Sequence, residues 1–132
     1  MLLLLDTHIA IWLVTDRSQL SMGELGAIID PANDIIASAA SIWEVSIKWQ
    51  KFFRSGERKG PMDPTKFLWA LTQLAMPVLP LTPEMAAAQL RDGAPHGDPF
   101  DTLLLTIAQE SDAKLLTRDK KLRGHPLALH AD

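Results

Sequence analysis

Five carboxylates stand where this chain could do chemistry. Asp98 and Asp101 lie three positions apart in "HGDPFDTLLLTI", residues 96–107, directly before an apolar run. Asp6 follows "LLLL", Asp119 follows "KLLTR", and Glu44 stands inside "SAASIWEVSIKWQKF". Should Asp6, Glu44, Asp101 and Asp119 meet, their charges cannot simply coexist. Two like charges about 4 Å apart repel by roughly 4 kcal/mol at an effective dielectric near 20, so the cluster must take up protons or a cation. Carboxylate oxygens are hard donors that favour magnesium or manganese over zinc. Magnesium held by few carboxylates keeps waters around it, and hydrolysis of a nucleic-acid phosphodiester is the chemistry that such a site supports.

Each acid also has a structural use, and the spacing alone leaves both uses open. Asp98 before Pro99, with Asp101 in the first turn, is a standard way to start a helix, because carboxylates accept orphan amide hydrogens and oppose the helix dipole. Glu44 stands four residues before Lys48, the favourable order for an exposed ion pair.

The elements that must position these acids follow from alternation. Short apolar runs predict strands at Leu2–Leu5, Asp34–Ala37, Val78–Leu79 and Lys114–Thr117, with a weak last one at Leu127–His130. Helices fall between them: Ser21 with Glu24 reads as a capping box, and Asp63-Pro64, Thr82-Pro83 and Asp98-Pro99 each set a cap before an N1 proline. The pattern predicts an α/β domain with five or six helices on both faces of a mostly parallel sheet of four to five strands. Open parallel sheets form their ligand crevice at the carboxyl ends of the strands, which is where Asp6 and Asp119 fall. Asp98 and Asp101, opening the helix that leads into the Lys114 strand, fall near the same rim. Residues 51–64, "KFFRSGERKGPMDP", read as a mobile surface connection.

Composition bounds the remaining possibilities. With 132 residues, 47% hydrophobic and 22% charged, the chain is expected to form one domain over residues 1–132. The absence of cysteine excludes disulfides, zinc-thiolate sites and a thiol nucleophile, and fits a cytoplasmic location. His8, His96, His125 and His130 lack the spacing that puts two imidazoles on one helix face. The opening "MLLLL" has no basic residue before it and is interrupted by Asp6 and His8, so neither a leader nor a membrane span is expected. A formal charge of −3 argues against a uniformly basic nucleic-acid binder and leaves local patches open.

Taken together, "LLLLDTHIAIWL", "ASAASIWEVSIK", "HGDPFDTLLLTIAQE" and "LLTRDKKL" occur in an order and at intervals that resemble PIN-domain ribonucleases, specifically the VapC-type toxins of toxin-antitoxin pairs. The resemblance spans nearly the whole chain. It implies a PIN-like three-layer α/β/α fold and a magnesium-dependent endoribonuclease, with manganese as a substitute, that leaves a 5'-phosphate and a 3'-hydroxyl. It implies that Asp6, Glu44, Asp101 and Asp119 form the acidic metal site, with Asp6 and Asp101 as direct ligands and Glu44 and Asp119 completing it directly or through waters. Asp98 would be an auxiliary acid or only a cap. A cognate antitoxin and a homodimer are implied as partners, with RNA as substrate and no membrane. Thr102 stands where relatives with "DPFD" often carry arginine, which removes a phosphate contact and leaves the four acids intact.

Several other groups flank these motifs. Thr7, Ser41 and Thr117 adjoin the acids and are placed either to orient a water or carboxylate or to cap backbone. Two basic groups, Lys48, Lys51, Arg54, Arg58 and Lys59, and then Arg118, Lys120, Lys121 and Arg123, are solvated charge or phosphate contacts for RNA. Trp12, Trp43, Trp49 and Trp69 are expected in the core or an interface. Trp49 with Phe52 and Phe53 is expected to form a groove for an apolar helix of the antitoxin. His8 is expected to pack at the start of the first helix, and His96 to be an exposed loop residue. Two alternatives remain: a non-catalytic PIN module binding RNA or protein, and a receiver-like phosphoacceptor domain. The receiver needs an acid after its third strand, where this chain reads "MPVLPLTPEM".

Overall fold

A computed structural model describes residues 1–93 and 97–132. Five parallel strands form one sheet in the order β3-β2-β1-β4-β5: β1 is Leu2–Leu5, β2 Asp34–Ser38, β3 Val78–Leu79, β4 Lys114–Leu116 and β5 Ala128–Leu129. Helices α1 (Thr7–Thr15), α2 (Met22–Ile29), α3 (Ala39–Trp49), α4 (Pro64–Gln73), α5 (Pro83–Ala87) and α6 (Pro99–Glu110) complete the fold, with 3-10 turns at Arg17–Gln19 and Lys120–Leu122. His96 lies outside the described residues.

Both faces of the sheet are buried, as an all-parallel sheet requires. Side chains alternate along a strand, so Leu5, Ala37 and Leu116 pack on one face with Ile9 and Leu13 of α1 and Phe67 and Leu71 of α4. Leu4, Ile36 and Leu115 point the other way, onto Leu104, Leu105, Ile107 and Ala108 of α6. Helix α3 serves both layers, with Ala40 on the α6 side and Val45 on the α1 side. The result is the three-layer α/β/α arrangement.

The expected helix starts are present as drawn from sequence. Ser21 and Glu24 form a reciprocal capping box, while Asp63, Thr82 and Asp98 cap α4, α5 and α6 ahead of prolines. Strand limits differ by a residue or two. β2 runs on through Ser38; β4 stops at Leu116, and β5 is confined to Ala128–Leu129. Within residues 51–64, read as a mobile surface connection, residues 51–59 fold back on themselves. An antiparallel bridge joins Phe52 to Arg58, and backbone bonds run from Phe53 N to Glu57 O (2.7 Å) and from Lys59 N to Lys51 O (2.9 Å).

The strand order places a switch point beside β1. After β1 the chain builds β2 and β3 on one side, then crosses to build β4 and β5 on the other. Crossovers leaving in opposite directions open a crevice above the carboxyl ends of β1 and β4.

Candidate active site

Asp6 and Thr117 follow directly from the two strands that flank this crevice. Asp6 N donates to Leu116 O (2.9 Å), so the sheet ladder itself fixes where the aspartate leaves β1. Its carboxylate caps α1, accepting from Thr7 N (2.8 Å) on Oδ1 and from Thr117 Oγ1 (2.6 Å) on Oδ2. Asp119, two residues further on, donates its backbone N–H back to Thr117 Oγ1 (3.0 Å) and caps the 3-10 turn through Lys121 N (2.9 Å). One buried hydroxyl therefore ties both carboxylates to the strand ends.

Glu44 arrives from α3. Although only 5% exposed, it keeps the predicted partner, accepting from Lys48 Nζ at 2.8 Å through Oε2. Its other oxygen lies 2.8 Å from Thr7 Oγ1, which is also 2.9 Å from Ser41 Oγ. Because a carboxylate only accepts, the Thr7 hydrogen goes to Glu44. Glu44 thus forms the ion pair with Lys48, but from a buried position lining the crevice rather than on the exposed surface.

Asp98 and Asp101 come from the first turn of α6. Asp98 is half-buried and caps the helix through Phe100 N (2.9 Å), whereas Asp101 is 9% exposed and faces inward. Asp6, Glu44, Asp98, Asp101 and Asp119 line a single open cleft of about 290 Å³, with His8, Trp12, Lys48 and Arg118 on its walls.

The electrostatics follow from burial and like charge. Asp101 is pushed up to about 7, first by burial and then by repulsion from Asp98, Asp6, Asp119 and Glu44. Burial likewise raises Asp6 above the ordinary carboxylate range, against the opposing hydrogen bonds from Thr117 and Thr7. Among the described residues no group of three or more His, Cys, Asp or Glu side chains is drawn tightly enough together to hold a metal ion between them. The donor set is nevertheless all hard oxygen, and magnesium is commonly held by one or two carboxylates plus its own waters, so the residues present fit that ion.

A sequence profile of the PIN domain matches residues 3–126. The chain belongs to the PIN-domain family. It is 32% identical over 125 residues to Ribonuclease VapC22 of Mycobacterium tuberculosis (strain ATCC 25618 / H37Rv), covering 92% of this chain and 90% of that protein. In fold it is similar to a crystal structure of VapBC2 from Rickettsia felis bound to a DNA fragment from their promoter, with a TM-score of 0.63 and 15% identity over 98% of this chain and 97% of that one. A toxin-antitoxin complex from Klebsiella pneumoniae matches with a TM-score of 0.60 and 20% identity, over 96% of this chain and 94% of that one.

Within this PIN domain several sequence expectations need correction. Arg118, read as either solvated charge or a phosphate contact, is committed to the protein: Nε donates to Glu24 Oε2 (3.0 Å), Nη2 donates to Gln19 O (2.7 Å) and to Glu24 Oε1, and the guanidinium lies 4.6 Å over the Trp12 ring. Glu24, read from sequence only as a capping residue, is fully buried, and Arg118 holds it below the usual carboxylate range. Sequence spacing of 94 residues carries no signal of that pair. Arg123 pairs with Asp132 (2.6 Å).

The aromatic groove expected at Trp49, Phe52 and Phe53 is not an open apolar trough. The Arg58 guanidinium sits 4.6 Å from both the Trp49 and Phe52 rings, and Lys59 Nζ lies 5.3 Å from the Phe53 ring. Cations prefer ring faces because the π quadrupole attracts them. None of the tryptophans belongs to the buried core; Trp43 and Trp69 are 60% and 65% exposed. His8 does contact Trp12, at 5.8 Å between ring centroids, yet it stays exposed on the cleft rim. Among the described residues no helix is long and apolar enough to cross a membrane. The receiver alternative gains no support, since no acid follows β3 until Glu84.

Proposed function

We propose that this PIN domain is a metal-dependent endoribonuclease, the toxin of a VapBC-type toxin-antitoxin pair held in check by a cognate antitoxin and assembling as a homodimer in the cytoplasm. The observation that carries the reading is the gathering of five carboxylates in one cleft above the sheet's switch point, where burial, and then repulsion among the acids, lifts Asp101 to about 7. Likeness to Ribonuclease VapC22 over nine-tenths of the chain supports the choice of RNA, and likeness in fold to VapBC and toxin-antitoxin complexes supports an antitoxin partner.

Asp6 and Asp101 would hold magnesium, or manganese in its place, with Glu44 and Asp119 completing the shell and Asp98 in an auxiliary place. When bound, the ion would supply activation of a water and relief of the charge that grows on the phosphate and the leaving oxygen. Thr117 and Thr7 hold the Asp6 and Glu44 oxygens in place, so that the acid geometry exists before any ligand arrives. Lys48 offsets part of the cleft's negative charge at its mouth, which eases the approach of a polyanion to a ring of acids.

Incubation of RNA with the purified protein tests this, with magnesium, with chelator, and with the Asp6→Asn and Asp101→Asn variants. Cleavage by the wild type in magnesium alone is expected. Full activity in chelator, or in both variants, would overturn the assignment, and a folded wild type that binds RNA without cutting it would favour the non-catalytic module.

A further inference from the structure

A second cavity, of about 360 Å³, opens next to the acid cleft and shares His8 and Lys48 with it. Buried Ile11, Val45 and Thr7 line its inner wall, and its rim carries Lys48, Lys59 and Pro61. We propose that this cavity seats a nucleotide of the RNA adjacent to the scissile phosphate, with Lys59 and Lys48 taking the backbone charge. The proposal rests on the nuclease reading for the class of ligand and adds where, and against which side chains, that ligand lies.

Charge placement argues first. Residues 48–61 hold five of the chain's thirteen lysines and arginines and a single acid, Glu57, in a protein of net charge −3. A basic arm beside an acidic metal site in an otherwise acidic chain matches a polyanion that must be held close to carboxylates which repel it. Of the nine cations flanking the site, Arg118, Arg123 and Arg58 are engaged with protein groups. Lys48 and Lys59 are the two that line the cavity. Lys48 has three donors, so pairing with Glu44 leaves capacity for a phosphate.

The arm is also built to present Lys59 in a fixed place. Arg58 Nη1 donates to Trp49 O (2.6 Å) while its guanidinium stacks between the Trp49 and Phe52 rings, strapping the hairpin to the end of α3. Gly60 presses on the same helix end; a Cβ there would lie 2.7 Å from the Cα and N of Trp49. With Phe52 and Trp49 covered by Arg58, this surface favours an anion over an apolar helix.

A nucleotide lying against that inner wall sets one phosphate at the Lys59 rim and the next at the acids.

The test is binding of a short fluorescent single-stranded RNA, read by anisotropy across a potassium chloride series in magnesium, using Asp101→Asn protein to prevent cutting. Adding Lys59→Gln should reduce the slope of log Kd against log salt by about 0.7, one phosphate contact on a single strand. Adding Lys66→Gln, the same charge change on α4 away from the cavity, should leave it unchanged. Equal effects of the two lysines would overturn the proposal. So would a polyglutamate peptide that displaces the RNA from protein with Lys59 and fails to do so with Lys59→Gln, since the cavity would then belong to an acidic protein partner. Failure of the wild type to cleave RNA counts against the nuclease reading and leaves the anisotropy result to decide the cavity.

Discussion

Thr117 donates its hydroxyl hydrogen to Asp6 across 2.6 Å, joining the carboxyl ends of β4 and β1 over a separation of 111 residues. The same oxygen accepts from Asp119 N, so two of the site's acids depend on one fully buried hydroxyl. Thr117→Val keeps the shape and removes both bonds. Leaving buried partners unsatisfied costs about 1–3 kcal/mol, and loss of an outer hydrogen bond to a metal-binding carboxylate lowers activity by about 10–100-fold. Denaturant unfolding and RNA cleavage measure the two effects, and Thr117→Ser should recover most of both.

Asp101 makes the metal-free protein sensitive to pH in a defined direction. Its folded value, about 7, lies above the ordinary 3.8, so the folded state retains a proton that the unfolded chain has released. That stability is fully present below about pH 4 and is lost as pH rises through 7, in the reverse sense to a salt-bridged carboxylate. Chelator-treated protein should therefore melt lower at pH 8 than at pH 6, with Asp6 acting in the same direction. Asp101→Asn should flatten this dependence, and magnesium should raise the melting temperature more at pH 8 than at pH 6.

Glu24 and Arg118 form a buried brace between α2 and the loop that carries Asp119. Glu24 has both oxygens occupied, by Arg118 and by Ser21 N, and no exposed surface. Removing one partner strands the other charge, so Arg118→Ala should destabilise by about 3 kcal/mol, the lower end of the range for a broken buried pair because part of Arg118 stays wetted. Arg118→Lys should rescue little, since an ammonium cannot reproduce the two-pronged contact. A double-mutant cycle with Glu24→Gln gives the coupling, and a coupling near zero would remove the brace.

Gly60 is required by close approach to Trp49 rather than by an unusual turn. Gly60→Ala sets a methyl group against the α3 backbone, which should destabilise by about 1–3 kcal/mol and lift the hairpin from α3. Thermal melting reads the first effect. The second should appear as a weaker salt dependence of RNA binding, similar to that of Lys59→Gln.

Much of this architecture was legible because local chemistry wrote it. The "LLLL" run, the capping box at Ser21 and the three acid or threonine caps before proline each specify a start through contacts within a few residues. Helix ends were harder to place: α4 and α6 close through left-handed Ala75 (φ 53°) and Asp112 (φ 52°), with bonds from Met76 N to Leu71 O and Ala113 N to Ala108 O, and no glycine marks either position. Within the site, the four aspartates could be brought to one rim by topology alone. What depends on contacts far apart in sequence could not be read: the Glu24–Arg118 pair, the Thr117 link to Asp6, and the stacking of Arg58 on Trp49 and Phe52. The last of these turned an expected apolar groove into a cation-covered surface.

The central claim is that Asp6, Glu44, Asp101 and Asp119 answer their mutual repulsion by binding a divalent cation. Calorimetric titration of magnesium into the protein at pH 6, in two buffers of different ionisation enthalpy, tests it directly. Binding accompanied by proton release is expected, as Asp101 gives up its proton, with loss of binding in Asp6→Asn and loss of the released proton in Asp101→Asn. No binding to the folded wild type, or binding unchanged in both variants, would contradict it.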